Sequence, residues 1–186
     1  MKKYELKVVQ DESPESPRDW DNVTTIVCFH KRYDLGDKQD YKSSDFNNWD
    51  ELKEQIETDH KVLMIKPLYM YDHSGITIST SPFGCQWDSG QIGWIFIEEK
   101  QWISMMGEDM DRSEERLLRI IDSEVETYDK YLQGEVYQYK IYEVEECNLG
   151  HQHRTLVECC GGYFDEEDCR SEGESYMEHL EKEVVV

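Results

Sequence analysis

The densest gathering of reactive side chains in this 186-residue chain lies in two short stretches, Asp72-His73-Ser74-Gly75 and Gln86-Trp87-Asp88-Ser89-Gly90. Aspartate, histidine and serine together invite a hydrolase reading. A nucleophile, a base and an orienting acid work only when they meet in space, and neighbours within one tight turn point apart. No Gly-x-Ser-x-Gly elbow surrounds either serine. The same residue types are those that turns prefer for local hydrogen bonding and positive φ, so turn formation outweighs catalysis here. A metal-assisted alternative would act on a phosphorylated or nucleotide substrate through Asp72, His73 and Asp88, with Asp21 or His30 brought in by the fold. Carboxylates with imidazole suit manganese or magnesium in such a site. No His-Glu-x-x-His pair or acidic calcium loop supports it. His30, beside Lys31 and Arg32, reads more simply as a surface residue at a strand end.

A second cluster, Cys147, His151, His153, Cys159, Cys160 and Cys169, crowds the C-terminal third. Any four could hold zinc tetrahedrally. There is no Cys-x-x-Cys knuckle, however, and adjacent cysteines on a strand face opposite sides. Buried thiols acting as small apolar residues are the simpler account. We expect no cofactor, no bound metal and no enzymatic activity.

Charge is a third source of chemistry. The chain carries 42 Asp and Glu against 20 Lys and Arg, a net charge of -22. Duplex nucleic acid and anionic membranes are repelled by a field of this sign. A basic protein surface is attracted. Glu115, Asp122, Glu126 and Asp129 recur along one helical face, and Glu167, Glu174, Glu178 and Glu181 along another. Residues four apart on a helix are separated by about 6 Å of axial rise, close to the spacing of phosphates along a strand. Such rows could occupy a groove of Lys and Arg built for a phosphate backbone, with salt-sensitive affinity. The plainer account is a solvated helix face.

These residues need elements to hold them. The apolar fraction is 38%, but 12 Tyr, 5 Trp and 5 Phe supply an aromatic core that a disordered acidic chain would lack. Strands are expected at 1–10, 23–29, 61–71, 76–80, 93–97, 135–145 and 154–160, several of them joined as hairpins. Helices are expected from Asn47 or Asn48 through Ile56, from Ser113 to Gln133 with Gly134 as the stop, and from Asp165 to Lys182, weakened by Gly173. Pro67 marks a bend or a sheet edge. The outcome is an α+β fold, a largely antiparallel sheet of hairpins with two or three packed helices, in one domain spanning 1–186 with a mobile loop at 31–45. The charged, alternating start at Met1-Lys2-Lys3-Tyr4-Glu5 does not read as a secretory leader, which predicts a cytoplasmic protein with free thiols.

Two long motifs are also distinctive. One comprises Ser16-Pro17-Arg18-Asp19-Trp20-Asp21-Asn22 and Val27-Cys28-Phe29-His30-Lys31-Arg32-Tyr33-Asp34-Leu35-Gly36-Asp37. The other runs Pro67-Leu68-Tyr69-Met70-Tyr71-Asp72-His73-Ser74-Gly75-Ile76-Thr77, then Pro82-Phe83 and Cys85-Gln86-Trp87-Asp88-Ser89-Gly90-Gln91-Ile92-Gly93. With Glu124 to Tyr128 and Tyr131 to Tyr137, the chain resembles a family of small acidic proteins carried by bacteriophages and other mobile elements. The resemblance carries over no catalytic residues. It implies a bacterial host cell and, by analogy, an anti-CRISPR or anti-restriction inhibitor, a DNA mimic in the simplest version of the idea. It also makes Trp20, His30, Tyr71, Asp72, His73, Trp87 and Asp88 candidate partner contacts, since aromatic residues often carry interface energy. A structural interaction module is the remaining alternative.

Overall fold

The computed structural model describes residues 3–183, so the first two residues of the expected opening strand lie outside it. In chain order the elements are β1 (Lys3–Gln10), β2 (Thr24–Cys28), α1 (Trp49–Asp59), β3 (Val62–Asp72), β4 (Ile76–Ser79), β5 (Ser89–Glu98), α2 (Glu99–Met106), α3 (Glu114–Gln133), β6 (Tyr137–Glu146), β7 (Gln152–Tyr163) and α4 (Glu166–Glu183). Short 3-10 turns stand at Pro17–Asp19 and Ser43–Asp45. Every strand pairing is antiparallel, which gives the α+β class. The chain divides into two compact units, one of Ser16–Gln133 and one built from the segments that flank it.

The Ser16–Gln133 unit has a four-stranded sheet in the order β2-β5-β3-β4. Central β5 is covered on both faces, so Ile92 to Ile97 are buried without a break, as a doubly covered strand requires. Trp94 and Phe96 pack with Leu52 and Ile56 of α1. Ile95 and Ile97 pack with Trp102 of α2 and with Leu117, Ile121, Val125 and Tyr128 of α3. Each large side chain so buried contributes on the order of 1.5–3 kcal/mol. Asn48 caps α1, its Oδ1 accepting from the Glu51 N–H at 2.9 Å, while Glu51 reaches back to the Asn47 N–H at 2.8 Å. Pro67 is tolerated in β3 because β4 pairs only with Tyr69 to Asp72, which leaves no neighbour on that side. Gly134, at φ +74°, follows α3 as its stop.

Helix α2 has no counterpart in the sequence reading. It follows β5 without a loop, has no side-chain cap, and buries one residue, Trp102.

The flanking unit is a three-stranded sheet, β1-β6-β7, with α4 on one face. Leu6, Tyr139 and Ile141 meet Cys169, Met177 and Leu180 there. Gly173 lowers helix propensity for a packing reason: a Cβ would sit 2.7 Å from Leu6 Cδ1 and 3.1 Å from Tyr139 Cβ. Asp165 caps α4, its Oδ1 accepting from the N–H groups of Glu167 and Asp168 at 2.8 and 3.1 Å.

Candidate functional site

The first motif builds a buried ionic network. Ser16 caps the Pro17–Asp19 turn and directs Arg18 inward, where its side chain is 4% exposed. Its Nε and Nη2 donate to the two oxygens of Asp37 at 2.9 and 2.7 Å. Nη1 donates to Glu124 Oε2 and Thr24 Oγ1 at 3.2 and 3.3 Å, and Nη2 also reaches the Thr24 carbonyl at 2.8 Å. All five guanidinium N–H groups are thereby used. The carboxylates are satisfied too: Asp37 accepts from the Ile26 N–H at 2.7 Å and Glu124 from the Val23 N–H at 2.8 Å. Burial alone would lower the Arg18 pKa, but Asp37 and then Glu124 outweigh it and the net shift is upward. Gly36, at φ +80°, lies against Ile26, and its N–H donates to Tyr128 Oη at 3.1 Å. Burial pushes the Tyr128 phenol up, and burial, with Asp37 and Asp34 adding, pushes the Cys28 thiol up to about 12. This network joins residues far apart in sequence, and it holds structure rather than offering reactivity.

The second motif forms a loop cluster at the β3–β4 turn and the entry to β5. The Asp72 N–H donates to the Asp88 carbonyl at 2.8 Å, which brings the two stretches together. His73 Nδ1 lies 3.4 Å from Asp88 Oδ2, and the Cys85 thiol donates to the same oxygen at 3.7 Å. Asp72 is already engaged, by an ion pair with Arg32 and by the Tyr33 hydroxyl at 3.5 Å. Ser74 occupies the turn at φ 61°, and Ser89 Oγ donates to the Cys85 carbonyl. Thus the serines serve the loops. Tyr71 packs between His73 and Phe83, with ring centroids at 6.0 and 5.8 Å, and His30 stacks on Tyr33 at 5.1 Å. Trp87 projects from this cluster 96% exposed, and Trp20 is 44% exposed at the first motif. Among the described residues, no group of three or more His, Cys, Asp or Glu is placed to hold a metal ion. Asp21, His30, Asp72, His73 and Asp88 form no such group, and neither do the C-terminal cysteines and histidines. Cys169 is buried, whereas Cys159 and Cys160 are exposed along β7.

The acidic residues differ in how far the fold engages them. Asp129 accepts from the Ile78 N–H at 2.7 Å, from Thr77 Oγ1 at 3.0 Å and from Gln133 at 2.7 Å. Its carboxylate closes the outer edge of β4, the last strand of its sheet. Asp122 accepts from Thr80 Oγ1 at 3.3 Å. Glu115 and Glu126 face outward and pair with Arg119 and Lys130 at 3.7 and 3.4 Å. On α4 the picture is simpler. Glu167, Glu174, Glu178 and Glu181 are all exposed and form a row about a quarter-turn round the helix from the packed residues Gly173, Met177 and Leu180; among the described residues Glu178 pairs with Lys182 at 3.3 Å. Among the described residues, no helix is long and apolar enough to cross a membrane.

No family model, curated protein or solved structure matches the chain.

Proposed function

We propose that this protein is a stoichiometric acidic inhibitor that binds a host nucleic-acid-handling defence complex, a CRISPR or restriction nuclease, and covers its basic DNA- or RNA-binding surface. One observation carries the reading: α4 presents Glu167, Glu174, Glu178 and Glu181 in one exposed row along an 18-residue helix that is anchored to a sheet through Cys169, Met177 and Leu180. A rigid row of carboxylates meets a cationic groove without first paying for its own ordering. The net charge of -22 steers such an encounter. In this reading α4 leads and α3 assists through Glu115 and Glu126, because Asp122 and Asp129 are bonded to β4 and the strand end that follows it. Trp87, 96% exposed, supplies an apolar anchor on the Ser16–Gln133 unit. The test is inhibition of a purified nuclease by the wild-type chain and by the variant with Glu167, Glu174, Glu178 and Glu181 changed to Lys. Inhibition near one-to-one, lost in the variant and weakened between low and moderate salt, is the expected result. Full inhibition by the variant would remove α4 from the mechanism.

The second reading, metal-dependent hydrolysis, draws on the His73–Asp88 contact and the convergence of the two loops. It requires turnover at trace protein concentration that depends on added manganese or magnesium and disappears in Asp88→Ala.

A further inference from the structure

Away from both acidic rows, the end of β2 and the start of α1 enclose a cleft of about 410 Å³. Phe29, Phe46, Trp49 and Leu52 form its apolar wall, and His30 and Lys31 stand at its rim. An adjoining cleft of about 370 Å³ shares Phe29, His30 and Ser43 with it and adds Tyr33, Gln39 and Lys42. Both volumes suit a small molecule.

Three independent features describe what would fit. Phe29 and Trp49, which both line the cleft, lie within 15° of parallel with centroids 6.2 Å apart. Gln39 Oε1 is buried with no hydrogen-bond partner. A buried acceptor left unsatisfied is costly, and a ligand N–H or O–H would relieve it. Third, Lys31 and Lys42 have no carboxylate partner among the described residues, although the chain carries more than two acids for every base. Neighbouring Arg32, by contrast, is held by Asp72. Both ammonium groups are exposed and lie where an anion in the clefts can meet them. Asp34 also lines the second cleft and would accept from hydroxyl groups.

We infer that the joined clefts bind a free nucleotide. The base stacks on the Phe29 and Trp49 wall, a base N–H or sugar hydroxyl donates to Gln39 Oε1, and the phosphate lies between Lys31 and Lys42. An apolar ligand would have no use for the lysines, and inorganic phosphate none for the aromatic wall. This inference is separate from the inhibitor reading, since it uses neither α3 nor α4.

The test is titration of the full chain with AMP, GMP, CMP and UMP, followed by calorimetry and by tryptophan fluorescence. At least one should bind one-to-one with a Kd below about 1 mM. Lys31→Glu and Lys42→Glu, whose side chains make no hydrogen bond or ion pair among the described residues, should each weaken it by about five-fold while leaving the thermal melt unchanged. Trp49→Leu should remove the fluorescence response. The inference fails if none of the four binds by about 10 mM, or if both lysine variants bind as the wild type does. It fails equally if the parent nucleoside or phosphate alone binds as tightly as the nucleotide. Tighter binding of a short single-stranded oligonucleotide would overturn the assignment to a free nucleotide.

Discussion

Replacing Arg18 with Met keeps most of the side-chain volume and deletes the charge at the centre of the ionic network. The guanidinium is 4% exposed and neutralises two carboxylates, Asp37 and Glu124, each with 19% of its side chain exposed. Removing one partner of a buried ion pair costs about 3–5 kcal/mol, because the remaining charge loses its compensation. Here the backbone N–H groups of Ile26 and Val23 still hold the two acids, so the lower end, about 3 kcal/mol, is the working figure. For a unit of this size that corresponds to a fall in Tm of roughly 10–15 °C. The assay is urea and thermal unfolding followed by tryptophan fluorescence, which reports on Ser16–Gln133 because all 5 Trp lie within it. Asp37→Asn in the Arg18→Met background should recover part of the loss, giving a coupling energy above about 1.5 kcal/mol in a double-mutant cycle. A loss below about 1 kcal/mol for Arg18→Met, or strictly additive single and double variants, would refute the network as a source of stability.

Four other outcomes follow from the same structure. Trp87→Ala should leave unfolding within about 0.5 kcal/mol of wild type, yet weaken capture of a nuclease partner by roughly thirty-fold if Trp87 is an anchor; an unchanged affinity removes that role. Asp129→Ala strands the Ile78 N–H and should cost about 1–3 kcal/mol in urea unfolding, whereas Glu115→Ala, 83% exposed at its side chain, should cost under about 0.5 kcal/mol; equal losses would contradict the division of labour on α3. A thiol reagent should modify exposed Cys159 and Cys160 quickly and buried Cys28 and Cys169 only on unfolding, and rapid reaction of Cys28 would contradict its burial. Burial raises the Cys28 pKa from 9.0 to about 12, so the folded state holds its proton longer than the unfolded chain does. The resulting stability is present below pH 9 and is lost as pH climbs towards 12, and Cys28→Ala should flatten that alkaline decline.

Much of the architecture was legible because burial leaves periodic traces. Leu117, Ile121, Val125 and Tyr128 recur at helical spacing and are the buried face of α3. The unbroken apolar run at Gly93 to Ile97 announced a strand, and the structure covers it on both faces. Helix α2 left no such trace, since eight residues with a single buried side chain do not establish a period. The acidic row on α3 was legible as a row, but not its unequal use. Helical spacing places Asp122 and Asp129 on one face and says nothing about a strand edge lying beside them. The Arg18 network was least legible of all, because its acids stand 19 and 106 residues away. Pairing over such distances is set by the completed packing. Likewise, the Asp72–Asp88 link makes one cluster from two stretches that read separately as turns.

The pairing of β1 with β6 sets an order of events during synthesis. Lys3 lies opposite Val144 and Gln10 opposite Tyr137, so β1 must wait for a partner made more than a hundred residues later. At about 5–20 residues per second a ribosome needs roughly 6–30 s to supply the missing partner. Throughout that interval Tyr4, Leu6 and Val8 have no sheet to join, while the intervening segment already contains everything its own core requires. A nascent chain of this kind offers chaperones a sticky, unpaired strand, and a truncation before β6 would leave that strand permanently bare.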